Sequence, residues 1–196
     1  MYVIGCPQAL REPIKREITM AFRSLSSWGD FSYGASREER LDELAAPILV
    51  ETFAYWKKVT PKGAIGPAWG VFRLQDLSPE AISLTLVVDV LRDPLDFRYR
   101  FWGTAHVERK KIDRTGQRTS DEHPQGRGPK VAGEYQTVVE RHTPLLFSRL
   151  IEFPDGRLPL PQLALRLPLS NDGEQVTGIA SVTYWDEKRL ISGNNR

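Results

Sequence analysis

The chain has 196 residues, 40% hydrophobic and 27% charged, with 27 basic side chains against 25 acidic ones and a formal net charge of +2. That length suits one domain with flanking helices and a substantial core. The near balance of charge excludes a dedicated nucleic-acid binder, which concentrates a basic excess. The single cysteine excludes an internal disulfide or a multi-cysteine zinc cluster within one chain.

Residues 1–35 have mixed polarity and no sustained period, which predicts an arm or a short helix. Cys6 suits a reducing cytosol, so a cytoplasmic location is expected. Val3-Ile4-Gly5-Cys6 imitates a lipoprotein cleavage box but lacks the apolar run of ~7–15 residues that a signal needs. Ser36-Arg37-Glu38-Glu39 fits a capping box. Leu41, Leu44, Ile48, Leu49, Thr52, Phe53 and Trp56 follow at helical spacing. Pro47 interrupts that face, and an interior proline costs ~3 kcal/mol. A kink near Ala46 is therefore predicted, with the helix ending by Lys58. Gly63, Gly66, Pro67 and Gly70 mark a loop, and Ser78-Pro79-Glu80 opens a short helical turn.

Strands follow. Ile82 to Leu91 is rich in leucine and β-branched residues; Asp89 interrupts it, and it is too short to span a bilayer, so no membrane partner is expected. After a turn at Asp93-Pro94, Phe97, Tyr99 and Phe101 alternate with Arg98 and Arg100, the period of a half-buried antiparallel strand. Residues 105–130 lose periodicity and read as turns and loops. Val131, Tyr135, Val138, Val139 and His142 share one face of a helix of about three turns. Three strands close the chain, at 144–153, at 160–169 with Leu163, Leu165, Leu167 and Leu169 alternating, and at 175–185. Residues 188–196 read as a frayed tail. The expected architecture is α+β, with five antiparallel strands and the helices gathered between the second and third. Residues 36–187 form a single domain in this scheme, with no internal repeat or linker.

Asp89-Val90, Pro94 and Asp96-Phe97-Arg98-Tyr99-Arg100-Phe101-Trp102-Gly103-Thr104, followed by Asp113-Arg114-Thr115-Gly116, carry a resemblance. So do Pro67, Asp76-Leu77 and Pro79 before them. Glu134-Tyr135-Gln136-Thr137-Val138-Val139 with Pro144, and Leu167-Pro168-Leu169-Ser170-Asn171-Asp172-Gly173, extend it across residues 40–187. The chain resembles a PAS-like subfamily of uncharacterised bacterial proteins within the PAS domain superfamily. It departs from that pattern around Trp69-Gly70, where relatives carry a plainer basic segment. The resemblance implies a five-stranded antiparallel sheet with helices over one face around a small cavity. It implies also an N-terminal helix that covers the other face and pairs with a second subunit. The implied function is a non-catalytic sensory or ligand- and protein-binding module, homodimeric, passing its signal to a separate partner.

Any small-molecule ligand is then expected between the inner sheet face and the helix at 131–142, lined by Tyr99, Phe101, Tyr135, Val139, His142 and Phe147. No catalytic motif is found: no Gly-x-Ser-x-Gly elbow, zinc-binding His-Glu-x-x-His or Walker loop. Gly126-Arg127-Gly128-Pro129-Lys130 lacks phosphate-loop spacing. His106, His123 and His142 are too scattered to argue a metal site. His142 ends its helix where some haem-binding PAS domains carry an axial ligand, but an imidazole capping the last carbonyls explains it more simply. Flavin is disfavoured because Cys6 lies outside the matched region. The cofactor therefore stays unknown. Arg109, Lys110, Lys111, Arg114 and Arg118 read as a solvated basic run. Arg98 and Arg100 are expected to pair with a carboxylate, an anion site being the lesser alternative. Two rival readings are an enzyme on a cone-shaped α+β fold, as in ketosteroid isomerase relatives, with Asp89 as base, and a solid-cored dimerisation domain.

Overall fold

In the computed structural model of the protein, residues 27–122 and 127–186 are described. Cys6, His123 and the expected tail at 188–196 lie outside them, as does most of the expected N-terminal arm. The described part of that arm is not loose: Trp28, Phe31 and Tyr33 are buried. Ser32–Tyr33 (β1) and Arg37–Glu39 (β2) both pair antiparallel with Leu145–Glu152 (β5).

The sheet has seven strands rather than the expected five, and every pairing within it is antiparallel. The long strands are Thr85–Leu91 (β3), Asp96–Trp102 (β4), β5, Leu160–Leu169 (β6) and Gly178–Trp185 (β7). Their order is β5-β6-β7-β3-β4, so the first and last long strands lie together at the centre. The two additional strands come from residues 32–39, expected to be arm and helix start. A free β5 edge would leave a row of backbone donors and acceptors unpaired, and β1 and β2 cover it.

The helix of residues 36–58 is therefore shorter than expected. It runs Pro47–Val59 (α1), with Pro47 in its first turn, where the missing N–H is no loss. No kink arises because the only described helical turn before the proline, a 3-10 turn at Leu41–Glu43, ends before Ala46, whose backbone is extended. Ser36 caps nothing; its hydroxyl donates to Glu134. Ser78 does cap Pro79–Ser83 (α2), accepting from the Ala81 N–H at 3.3 Å. Thr104–Lys110 (α3), expected as loop, is a helix that buries His106. Arg127–Arg141 (α4) begins one turn earlier than expected and ends before His142.

The two faces of β6 differ. Leu165, Leu167 and Leu169 point one way with Ala180 and Val182 of β7, all fully buried. The helix packed on β6 and β7 there is α1, whose Trp56 indole donates to Pro168 O at 2.9 Å. Gln162, Ala164 and Arg166 point the other way, toward α4. Every step of this alternation follows from the two-residue strand period.

One irregularity alters the expected hairpin. Val87 pairs with Phe101, but Val88 pairs with Tyr99, so Arg100 is the extra residue of a bulge. Past the bulge the alternation inverts. Tyr99 and Trp102 meet edge to face at 4.7 Å on the inner side. Phe101, opposite Val87, turns to the outer side rather than joining Phe97 and Tyr99.

Candidate functional site

The inner face is built around buried charge. Glu134 of α4 has its side chain 3% exposed, and Arg149 and Arg166 are 2% and 1% exposed. Glu134 Oε2 accepts from Arg149 Nη2 at 3.1 Å and from Arg166 Nε and Nη2 at 3.1 and 2.6 Å. Its other oxygen takes the Ser36 hydroxyl at 2.5 Å. Burial alone would raise the Glu134 pKa, but Arg166, Arg149 and Ser36 outweigh it and hold the group below its ordinary value. The carboxylate is charged, so two guanidinium charges share one negative partner.

Local sequence explains these positions. Glu134 falls in the apolar stripe of α4, one turn from Val131 and Val138, and so is carried inward with Tyr135. Arg149 lies between the inward Phe147 and Ile151 of β5, and Arg166 lies opposite Leu145. Aromatic rings flank both guanidiniums: Arg149 stacks on Tyr33 at 4.4 Å and Arg166 on Tyr135 at 4.7 Å.

Beside the trio is a small cavity of about 10 Å³, lined by Tyr99, Trp102, His106, Arg149, Gln162 and Arg166 among others. That is room for about one water. Four of its walls present buried polar atoms with no hydrogen-bond partner among the described residues: Trp102 Nε1, His106 Nδ1, Arg149 Nε and Nη1, and Gln162 Oε1. Lys110 stands over the Trp102 ring at 4.9 Å. Glu122 lies beside Arg114 at 3.6 Å. Burial holds His106 well below the ordinary histidine pKa, Lys110 and Arg166 adding to the effect, so the imidazole is neutral at pH 7. Burial likewise raises the Tyr99 and Tyr135 phenols, which stay protonated.

The six expected lining residues scatter. Tyr99 lines the cavity, and Tyr135 adjoins it through Arg166, whose Nη1 lies 3.4 Å from its hydroxyl. Phe147 is buried on the inner face opposite Ala164, outside the cavity wall. Val139 is half-buried. Phe101 is on the outer side, for the reason given by the bulge. His142 is exposed at φ 55, and the helix closes through its backbone N–H to Val138 O at 2.9 Å rather than through its imidazole. Glu134, Arg149, Arg166, His106, Trp102 and Gln162 are absent from that expected set. A glutamate inside an apolar helical stripe, and an arginine between two leucines in a largely apolar strand, are the available signals.

Arg98 and Arg100 pair with Asp89 at 3.1 and 2.6 Å on the outer side, the structural pairing expected of them. Asp89 is thus held by two cations, not isolated as a catalytic base would be. The basic run disperses, with Lys110 on the Trp102 ring and Arg114 buried against Gln117 and Glu122. The outward side of α1, expected to pair with a second subunit, carries Val50, Glu51, Ala54, Lys57 and Lys58, with one large apolar side chain. Among the described residues no cluster of three potential metal ligands occurs. No described helix is long and apolar enough to cross a membrane. Comparison of the chain with family models, with curated proteins and with solved structures found no significant match.

Proposed function

We propose that the chain is a PAS-type, non-catalytic binding module whose ligand site is the polar cavity under α4. The observation that carries this reading is the set of buried, unpartnered polar atoms on Trp102, His106, Arg149 and Gln162, four residues that line one cavity. A buried polar group without a partner costs about 1–3 kcal/mol, so a fold that retains several around one cavity has a use for them. The antiparallel sheet, with α3 and α4 following its first hairpin and α1 against the opposite face, also suits the PAS-type reading.

Signalling would run through residues 32–39. Arg149, which reaches the ligand, stacks on Tyr33, and Glu134, which holds Arg149, accepts from Ser36. A ligand that draws Arg149 away from Glu134 shifts the balance between two arrangements of the N-terminal strands. A separate cytoplasmic partner would read that change.

A thermal-shift screen of small polar molecules against the wild type and Arg149→Met tests the reading. The expected result is at least one ligand that raises the midpoint of the wild type and not of the variant. A screen in which no molecule does so leaves a structural domain and ends the proposal.

A further inference from the structure

We propose that this cavity takes a monovalent anion of about chloride's size, an inference that rests on the reading of the cavity as a ligand site. The first argument is charge. Arg149 and Arg166 share Glu134, leaving one buried positive charge uncompensated. The remaining groups around the cavity do not cancel it. Glu122 is beside Arg114, Lys110 is a further cation, and the Tyr99 phenol and His106 imidazole are neutral. An unpaired buried charge is costly and is relieved by a counter-ion.

The second argument is that the walls can become donors throughout. Arg149 Nε and Nη1 and Trp102 Nε1 are donors in any state. Gln162 offers its amide nitrogen where its oxygen now stands after a half-turn of its last bond. His106 has two workable tautomers. With its proton on Nε2 the ring donates to Leu84 O at 3.1 Å; with the proton on Nδ1 that bond is given up, and Leu84 O keeps the Thr183 backbone N–H at 3.1 Å. Thr183 Oγ1, 3.0 Å from His106 Nε2, donates to that nitrogen when the ring proton moves to Nδ1. The orphaned wall atoms then all present N–H groups, as an anion requires, while Glu122, which also lines the cavity, has Arg114 at 3.6 Å and the Tyr99 hydroxyl at 3.5 Å as partners. A volume of about 10 Å³ limits that anion to halide dimensions.

Thermal unfolding of the full chain in chloride, bromide and gluconate at equal ionic strength tests this. The expected outcome is a saturable rise in midpoint for the two halides of about 5–10 °C at a hundredfold excess over the dissociation constant. Arg149→Met loses that rise. If the variant does not fold, bromide-soaked crystals of the wild type give the same answer, with an anomalous peak beside Trp102 Nε1 and Arg149. Equal midpoints in the three salts, or a water and no bromide in the cavity, overturn the proposal. Formamide and other small neutral molecules are run alongside. If they raise the midpoint through Arg149 while halides do not, the anion is wrong and the ligand site stands; if neither acts, both readings fail.

Discussion

Replacing Glu134 by glutamine keeps the shape of the side chain and removes its charge. Arg149 and Arg166, 2% and 1% exposed, would then share no carboxylate. Breaking a buried pair by removing one partner costs about 3–5 kcal/mol, because the remaining charge stays buried. With a urea slope of about 2.5 kcal/mol/M for a chain of this size, the midpoint falls by about 1–2 M. Tryptophan fluorescence follows the transition, since Trp28, Trp102 and Trp185 all lie in the core. Acid reproduces the substitution in the wild type. The folded pKa of Glu134 lies below its unfolded value, so its stabilisation is complete above the unfolded pKa. It is lost as pH falls through the folded pKa, and Glu134→Gln should show a shallower loss there. A urea midpoint within about 0.5 M of wild type, well short of that shift, would mean the two arginines do not depend on Glu134 and would refute the charge argument.

Three further outcomes are expected. Gly103→Ala should destabilise by about 1–3 kcal/mol, because a Cβ there would meet Ser83 O at 2.2 Å and Thr85 O at 2.6 Å; an unchanged melting temperature would contradict the packing at the β4–α3 junction. Trp102→Phe should cost under about 1.5 kcal/mol, since its indole N–H has no partner among the described residues, while Trp102→Ala should cost about 3–5 kcal/mol. Equal losses for the two variants would place the energy in the nitrogen rather than the ring. His106 titrates lower when folded than when unfolded, so its stabilisation is present above the unfolded pKa near ~6.5 and declines below it. The decline is about 1.4 kcal/mol per pH unit, measured by urea unfolding, and a His106→Gln variant should lack it.

Much of the scaffold was legible because it obeys short periods. The alternating leucines mark β6 from Leu160 to Leu169, and a proline suited to a first helical turn marks the start of α2. Residues 36–46 were misread because a capping-box pattern is local, whereas pairing of Glu38 with Phe147 spans the chain. Phe101 was misplaced because strict alternation cannot anticipate a residue inserted at a bulge. The candidate site was hardest to foresee. Its members come from α3, α4, β4, β5 and β6, and sequence spacing carries no sign that Glu134, Arg149 and Arg166 converge. Of the six expected lining residues, Tyr99 stands on the cavity wall.

The sixth strand acts as a partition between two compartments with different duties. Its odd positions from 165 onward seal an apolar layer against α1, and Gln162 and Arg166 line the polar cavity on the other side. Saturation mutagenesis along this one segment should therefore trace a two-beat rhythm, with thermal tolerance changing at one residue and ligand response at the next.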